Sequence, residues 1–120
     1  MIRLLVLDDV LDVVNLIKRI FQKKGYEVIG FTEEEDALNY ARSNHFDLAI
    51  LDLKLKKMNG VEVLKELKKT APSMKTIILT GYPTLESARE SINLGVSEYC
   101  VKPIDNEELE EKVENILKSK

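Results

Sequence analysis

The chain begins with the stretch RLLVLDD, residues 3–9, in which a run of apolar side chains ends at two acidic residues. The apolar part has the length of one β-strand, and a segment of helical period follows it. Similar short runs recur at residues 27–31, 46–51, 75–79 and 98–101. Short apolar runs that alternate with helical segments favour a parallel sheet with helices on both faces. We therefore predict five strands, each followed by a helix.

Breaker residues mark the ends of two helical segments. The first segment spans residues 10–24 and stops at Gly25. The third spans residues 61–70, after Asn59 and before Pro72.

Side-chain caps predict where the other three helices begin. Thr32 and Glu35 form a capping box for the second helix, and Asp105 and Glu108 form one for the last. Thr84 is placed to cap the fourth helix. Apolar residues at helical spacing predict the buried faces, formed by Val13, Leu16, Ile17, Ile20 and Phe21 in the first helix and by Leu85, Ala88 and Ile92 in the fourth.

Length and composition limit the class of protein. The chain has 120 residues, 44% hydrophobic and 32% charged, so we expect residues 1–120 to form one compact domain. The formal net charge of -3 offers no positive surface, and neither nucleic acid nor membrane is an expected partner. The longest apolar runs are far below the roughly 18 residues that cross a bilayer, and no signal peptide is visible, so we expect a cytoplasmic protein. The lone Cys100 should pack in the core.

Polar side chains directly follow four of the predicted strands: Asp8 and Asp9, then Asp52, Thr80 and Lys102. In open α/β sheets ligands bind beyond the carboxyl ends of the strands, so these side chains should share one rim. Three carboxylates on one rim repel each other, and a hard cation with oxygen ligands, such as Mg²⁺, relieves that repulsion. A free oxygen of Asp52 can then attack phosphorus, while Lys102 and Thr80 hold the phosphoryl oxygens.

Other functions predict different residues at these positions. An acidic residue after a strand often caps the next helix, which suits Asp8 or Asp9 alone but not the full set. A flavodoxin-like cofactor carrier needs a Gly-, Ser- or Thr-rich phosphate loop where this chain has the two carboxylates. A haloacid-dehalogenase-type phosphatase carries a second Asp two residues after its nucleophile, where this chain has Lys54. The single histidine, His45, is expected at a loop or strand edge.

Four short motifs occur in a fixed order: LLVLDD at residues 4–9, Asp52 before MNG at 58–60, LTG at 79–81 and YCVKP at 99–103. Their order and spacing, over essentially the whole chain, resemble the response-regulator receiver (CheY-like) family of two-component signal transduction. The resemblance implies a doubly wound, flavodoxin-like α/β fold. Its five parallel strands would lie in the order 2-1-3-4-5, flanked by five helices.

The resemblance implies a phosphoacceptor and a metal site. Asp52 matches the phosphoacceptor, and Asp9, Asp52 and the backbone carbonyl of Lys54 match the metal ligands. Asp8 matches the acidic neighbour that orders metal-bound water. The implied cofactor is Mg²⁺, with Mn²⁺ as a substitute.

The resemblance also implies a switch. Thr80 and Lys102 match the pair that grips the phosphoryl group, and Tyr99 matches the aromatic residue that turns inward after phosphorylation. The bond between Lys102 and Pro103 is expected to be cis.

The implied partners are a sensor histidine kinase as phosphodonor and an output, either a separate protein or an attached domain. Such a domain catalyses its own aspartyl phosphorylation and dephosphorylation but does not turn over an external substrate. Two alternatives stay open: a receiver cut from a longer transcriptional regulator, and a degenerate receiver that only docks. The chain departs from the family pattern at Leu55 and Lys56, where receivers often have Met-Pro. The large side chains of Lys54 and Tyr82 can shield an acyl phosphate from water, so its lifetime is open.

Overall fold

The computed structural model describes residues 1–55 and 59–118, which form five strands alternating with five helices. The strands are β1 (Arg3–Leu7), β2 (Glu27–Phe31), β3 (Leu48–Leu51), β4 (Lys75–Thr80) and β5 (Glu98–Val101). The helices are α1 (Leu11–Gln22), α2 (Glu34–Ser43), α3 (Gly60–Thr70), α4 (Leu85–Asn93) and α5 (Asn106–Lys118). Lys56 and Met58, from the loop after Asp52, lie outside the described residues.

All neighbouring strands pair in parallel, in the order β2-β1-β3-β4-β5. This confirms the α/β class and the strand order that the family resemblance implies. The chain leaves β1 in one direction to form β2 and then returns to the other side of β1 with β3. The order therefore reverses between β1 and β3, and in such sheets this is where ligands bind.

The sheet is buried on both faces. Successive side chains of a strand point to opposite faces, so Leu5 and Leu7 of β1 join one apolar cluster while Leu4 and Val6 join the other. The first cluster takes in the inner faces of α2 and α3, and the second those of α1 and α5. A sheet with both faces covered explains why its strands read as near-continuous apolar runs.

Most predicted boundaries agree with the structure to within one or two residues. The third helix begins after Asn59, whose side-chain oxygen accepts from Val61 N at 2.7 Å. Gly25 ends the first helical segment with a φ of 86°. The third strand starts at Leu48, two residues later than predicted, although Phe46 before it is buried.

The predicted caps have mixed outcomes. Thr84 caps α4 as expected. Asp105 caps the last helix, but its side chain accepts from Glu107 N rather than from Glu108 N. The capping box at Thr32 is wrong, because α2 begins at Glu34 after Glu33, which makes no side-chain cap hydrogen bond.

The predicted buried face of the fourth helix is wrong at Leu85 and Ile92, although Ala88 is half-buried. Leu85 and Ile92 are 68% and 64% exposed, and the only fully buried residue of α4 is Ser91. The helix lies beside β5, the strand at one edge of the sheet, where there is less sheet to cover. Leu16 of α1, predicted to face inward, is exposed as well. Periodicity indicated which residues share a face, but not how much of that face is covered.

Two further expectations concern single features of the chain. Cys100 is buried in the second apolar cluster, as predicted, and burial raises the pKa of its thiol. Among the described residues, none of the helices has the length and apolar character needed to span a membrane.

The start of α3 packs closely against the strand that carries Asp52. A Cβ added at Gly60 would overlap the backbone carbonyl oxygen of Asp52 and lie 2.5 Å from Cα of Leu53. We predict that Gly60→Ala lowers the free energy of unfolding by about 3 kcal/mol, at the upper end of overpacking effects, because backbone atoms have little room to move. Urea unfolding measures this change.

Gly81→Ala is the matched control. A Cβ there meets nothing closer than Lys102 Cδ at 3.9 Å, an ordinary van der Waals distance. Equal unfolding midpoints for the two variants would contradict the close contact at Gly60.

Candidate functional site

Asp8 and Asp52 stand side by side at the carboxyl ends of β1 and β3. The backbone ladder continues through both, since Asp8 N donates to Phe31 O at 3.1 Å and Asp52 N donates to Leu7 O at 2.9 Å. Their side chains are each only 4% exposed. The backbone therefore holds two buried carboxylates at a fixed separation.

Asp9 completes an acidic cluster with these two residues. Asp8, Asp9 and Asp52 each offer a carboxylate oxygen, and the three oxygens lie within 4.8 Å of one another. Asp9 is the more exposed member, half-buried where the other two are buried. The rim predicted from the strand ends thus brings the three carboxylates together.

Lys102 enters the cluster from the end of β5. Its Nζ atom lies 2.6 Å from Asp8 Oδ2 and 3.2 Å from Asp52 Oδ2. Its backbone N–H donates to Thr80 O at 2.8 Å, which extends the pairing of β4 and β5 by one residue. The bond from Lys102 to Pro103 is cis, as predicted.

The other carboxylate oxygens of Asp8 and Asp52, their Oδ1 atoms, accept hydrogen bonds from backbone N–H groups. Asp8 Oδ1 accepts from Val10 N at 2.9 Å, but Val10 is the residue before α1 and the helix has no side-chain cap, so the capping alternative does not hold for Asp8. Asp52 Oδ1 accepts from Lys54 N at 3.3 Å, a long hydrogen bond. The loop after Asp52 closes at its base, where Lys54 pairs with Asn59. The role of the Lys54 carbonyl as a metal ligand stays a prediction.

Burial and charge shift the ionisation of the central pair. Burial raises the pKa of Asp8, and hydrogen bonds from Lys102 and Val10 only partly oppose it. Burial also lowers the pKa of Lys102, but its hydrogen bond and attraction to Asp8, together with attraction to Asp52, outweigh this and leave that pKa raised. The negative charge of Asp52 raises the pKa of Asp8 further, whereas the charges of Asp8 and Asp52 both favour the ammonium form of Lys102.

The donor set fits a hard divalent cation. Among the residues that the structure describes, three carboxylates and the one ammonium that contacts them leave two negative charges at this rim. Every atom that the cluster offers as a metal ligand is a carboxylate oxygen, and Mg²⁺ is bound in proteins through one or two carboxylates with retained waters. Both oxygens of Asp8 and both oxygens of Asp52 already have partners, but the contacts of Asp8, at 2.6 and 2.9 Å, are shorter than those of Asp52, at 3.2 and 3.3 Å. Asp9 and Asp52 are therefore better placed than Asp8 to serve as ligands.

The loops that follow β3 and β4 contact each other through Lys54 and Tyr82. Thr80 is fully buried, and its hydroxyl accepts from Tyr82 N at 3.1 Å. The Lys54 ammonium lies 4.1 Å from the centre of the Tyr82 ring, a cation–π contact. The two large side chains singled out from the sequence therefore touch each other.

Tyr99 lies on β5, half-buried, with its hydroxyl 2.8 Å from Ser87 Oγ. Sequence reasoning did not single out Ser87. Its signal was its position three residues after Thr84, the place of Glu or Gln in the usual capping box, where Ser is a weaker cue. His45 is exposed and lies 3.4 Å from Asp47, just before β3 and away from the carboxyl ends of the strands.

Comparison with known proteins identifies the family. A family model described as the response regulator receiver domain matches residues 4–114. Transcriptional regulatory protein ZraR of Salmonella typhimurium is 32% identical over 116 residues, which cover 97% of this chain and 26% of that protein. The chain thus spans about a quarter of the length of the first curated relatives that it matches.

Solved structures agree in fold. A response regulator receiver domain protein (CheY-like) from Methanospirillum hungatei is 35% identical, with a TM-score of 0.95 and coverage of 98% of this chain and 94% of that one. Response regulator protein TrrA from Thermotoga maritima, solved in complex with Mg²⁺-BeF, is 36% identical, with a TM-score of 0.86 and coverage of 97% and 99%. Since the family match spans nearly the whole chain and the fold agrees throughout, this chain belongs to the response-regulator receiver domain family of two-component systems.

Proposed function

We propose that this receiver domain, residues 1–120, accepts a phosphoryl group on Asp52 from a sensor histidine kinase and thereby controls an output. The supporting observation is the placement of Asp52, a carboxylate 4% exposed and 3.2 Å from the Lys102 ammonium, within a cluster of three carboxylates. Such a carboxylate has an electrostatic partner ready for the charge that phosphorylation brings.

In the proposed transfer, one oxygen of Asp52 forms a bond to phosphorus while the phosphorus–nitrogen bond of the donor histidine breaks. The released imidazole keeps the electron pair of that bond. The Lys102 ammonium, which spans Asp8 and Asp52, is within reach of the transferred oxygens. Phosphoryl transfer depends mainly on positioning and charge neutralisation, which these residues supply.

Mg²⁺ is the proposed cofactor. Asp9, Asp52 and the carbonyl of Lys54 would hold the ion, and Asp8 would orient a water bound to it. When bound, Mg²⁺ neutralises charge on the phosphoryl oxygens during transfer. Mn²⁺ would serve in the same place, because it prefers similar oxygen ligands.

The conformational response is proposed to begin at Thr80. Its hydroxyl would leave Tyr82 N and donate to a phosphoryl oxygen, and Tyr99 would turn into the space that Thr80 leaves. A hydrogen bond to a charged oxygen contributes about 1.5–3 kcal/mol, enough to make a minor state dominant.

The output is proposed only by class. ZraR is a transcriptional regulatory protein, and the match with it supports an attached transcriptional output domain. A separate output protein is the other candidate. A receiver that only docks is disfavoured, because Asp9, Asp52, Thr80 and Lys102 all keep chemically competent side chains.

The first test concerns the acceptor. Incubation with acetyl phosphate and Mg²⁺ should add one phosphoryl group per chain, and Asp52→Asn should abolish the addition because the amide is not nucleophilic. Intact-protein mass spectrometry measures the added mass. Asp36→Asn, at an exposed site on α2, is the control and should label like the wild type. Stoichiometric labelling of Asp52→Asn would exclude Asp52 as the acceptor.

The second test concerns the metal. Asp9→Ala should weaken Mg²⁺ binding at least about 10-fold, since it removes a direct ligand where even outer partners contribute 10- to 100-fold. Isothermal titration calorimetry without phosphodonor measures the affinity. Asp12→Ala removes an equal charge from the exposed first turn of α1 and should bind like the wild type. A similar loss of Mg²⁺ affinity in Asp9→Ala and Asp12→Ala would show that the affinity depends only on overall charge and not on a direct ligand at Asp9.

The third test concerns the lifetime of the phosphorylated state. If Lys54 and Tyr82 together shield the acyl phosphate, Lys54→Ala should speed its hydrolysis about 2- to 5-fold, the factor equivalent to an exposed cation–π contact. Lys54→Arg and Tyr82→Phe keep a cation and a ring, and should retain the wild-type rate. The decay of the phosphorylated mass after removal of donor gives the rate. A Lys54→Ala protein with an unchanged rate would contradict the shielding.

A further inference from the structure

The hydroxyl of Ser87, in the first turn of α4, lies 2.8 Å from the hydroxyl of Tyr99 on β5. We infer that Ser87 is a positioning residue that holds Tyr99 in its resting place and so sets the equilibrium of the switch. This inference rests on the proposed function, in which Tyr99 moves after phosphorylation. It adds a residue that no motif of the sequence pointed to.

The Ser87 hydroxyl that contacts Tyr99 also forms part of the cap of α4. Ser87 Oγ donates to Thr84 O at 3.1 Å and accepts from Thr84 N at 3.3 Å. A serine hydroxyl has one proton and two lone pairs, which is enough for these two contacts and the one with Tyr99. The Tyr99 hydroxyl is thus hydrogen-bonded to the same oxygen atom that closes the cap of α4.

The helix that contains Ser87 is weakly anchored by apolar packing. Leu85 and Ile92 are largely exposed, and the fully buried residue of α4 is Ser91. Within the part of the chain that the structure describes, the Ser91 hydroxyl has no hydrogen-bond partner. Because α4 buries little apolar surface, the single bond from Tyr99 carries a larger share of its attachment to β5.

The other end of the loop before α4 is joined to the proposed phosphorylation site through Lys102, whose backbone N–H donates to Thr80 O at 2.8 Å. Thr80 ends β4, and its hydroxyl accepts from Tyr82 N. Only three residues separate Thr80 from Thr84, the cap residue of α4. A shift of Thr80 toward a phosphoryl group therefore acts on the cap directly, and the cap is bonded to Tyr99 through Ser87.

Whether loss of the hydrogen bond between Ser87 and Tyr99 favours the resting or the switched state depends on which of the two states contains that bond. The bond is present in the unphosphorylated chain, so removing it weakens the resting state and favours the state in which Tyr99 has turned inward. A ligand that selects the second state then binds more tightly by the same factor, provided that the resting state is the major one. The loss of a neutral hydrogen bond corresponds to a change of about 2- to 12-fold in the affinity for such a ligand.

A double-mutant cycle tests the inference with beryllofluoride and Mg²⁺ as the phosphoryl analogue. Ser87→Ala and Tyr99→Phe should each tighten analogue binding about 2- to 12-fold, and the double variant should bind no more tightly than either single one. Ser87→Thr keeps the hydroxyl and should restore the wild-type affinity. Tyr26→Phe removes a tyrosine hydroxyl elsewhere and should have no effect. Additive effects of the two substitutions would overturn the inference.

A second readout follows Tyr99 itself. The chain has four tyrosines, so ring-labelled tyrosine gives a short NMR spectrum in which Tyr99→Phe assigns the Tyr99 signal. In Ser87→Ala this signal should move toward its position in the analogue-saturated wild type, and in Ser87→Thr it should return. An unmoved Tyr99 signal in Ser87→Ala would overturn the inference.

The two readouts separate this inference from the proposed function. If the wild type does not bind the analogue, or if Asp52→Asn binds it equally well, the proposed phosphorylation site is wrong. The difference in the Tyr99 signal between Ser87→Ala and the wild type, measured without analogue, still decides whether Ser87 positions the ring.

Discussion

The site depends on one interaction, the placement of the Lys102 ammonium between the carboxylates of Asp8 and Asp52. The three residues follow three different strands, so no local segment of the chain can form the contact. The sheet order puts β4 between β3 and β5, and the long lysine side chain crosses that strand to reach Asp52. Its backbone N–H is held by Thr80 O, which fixes the point from which the side chain starts.

This arrangement contributes little to the stability of the fold. A buried ion pair loses much of its attraction to desolvation, and here two further negative charges are left over. The carboxylates cannot move apart, because Asp8 N and Asp52 N are both bonded into the backbone ladder. The dense apolar layers on both sides of the sheet hold these charges together. Repulsion that the backbone cannot relax is instead relieved by a cation, which is why such a cluster suits metal binding.

The sequence predicted the sheet and the rim well because both follow from short-range rules. Strands buried on both faces are continuous apolar runs, and the carboxyl ends of parallel strands always share one edge, so Asp8, Asp52 and Lys102 had to meet there. The exposure of Leu85 and Ile92 was not predictable in the same way. Helical period shows which residues share a face, but whether that face is covered depends on the neighbouring elements, and α4 has an edge strand beside it.

Side-chain contacts between distant segments escaped prediction for a related reason. Ser87 and Tyr99 are 12 residues apart and belong to different elements, and their contact depends on how α4 packs on β5. The cap at Thr32 failed because α2 begins at Glu34, later than a capping box at Thr32 would place it. The role of the Lys54 carbonyl as a metal ligand was implied by family resemblance alone, since no residue pattern predicts the direction of a carbonyl group in a loop.

The contrast between the site and α4 explains how a change at Asp52 can be passed on without deforming the core. Close-packed interiors resist small displacements, so a new charge at the rim moves the elements that are held least firmly. The structure has such an element directly after Thr80: α4 buries only Ser91 fully and leaves Leu85 and Ile92 exposed. On the proposed mechanism, the apolar side chains that the fold leaves uncovered are therefore the ones whose position depends on phosphorylation.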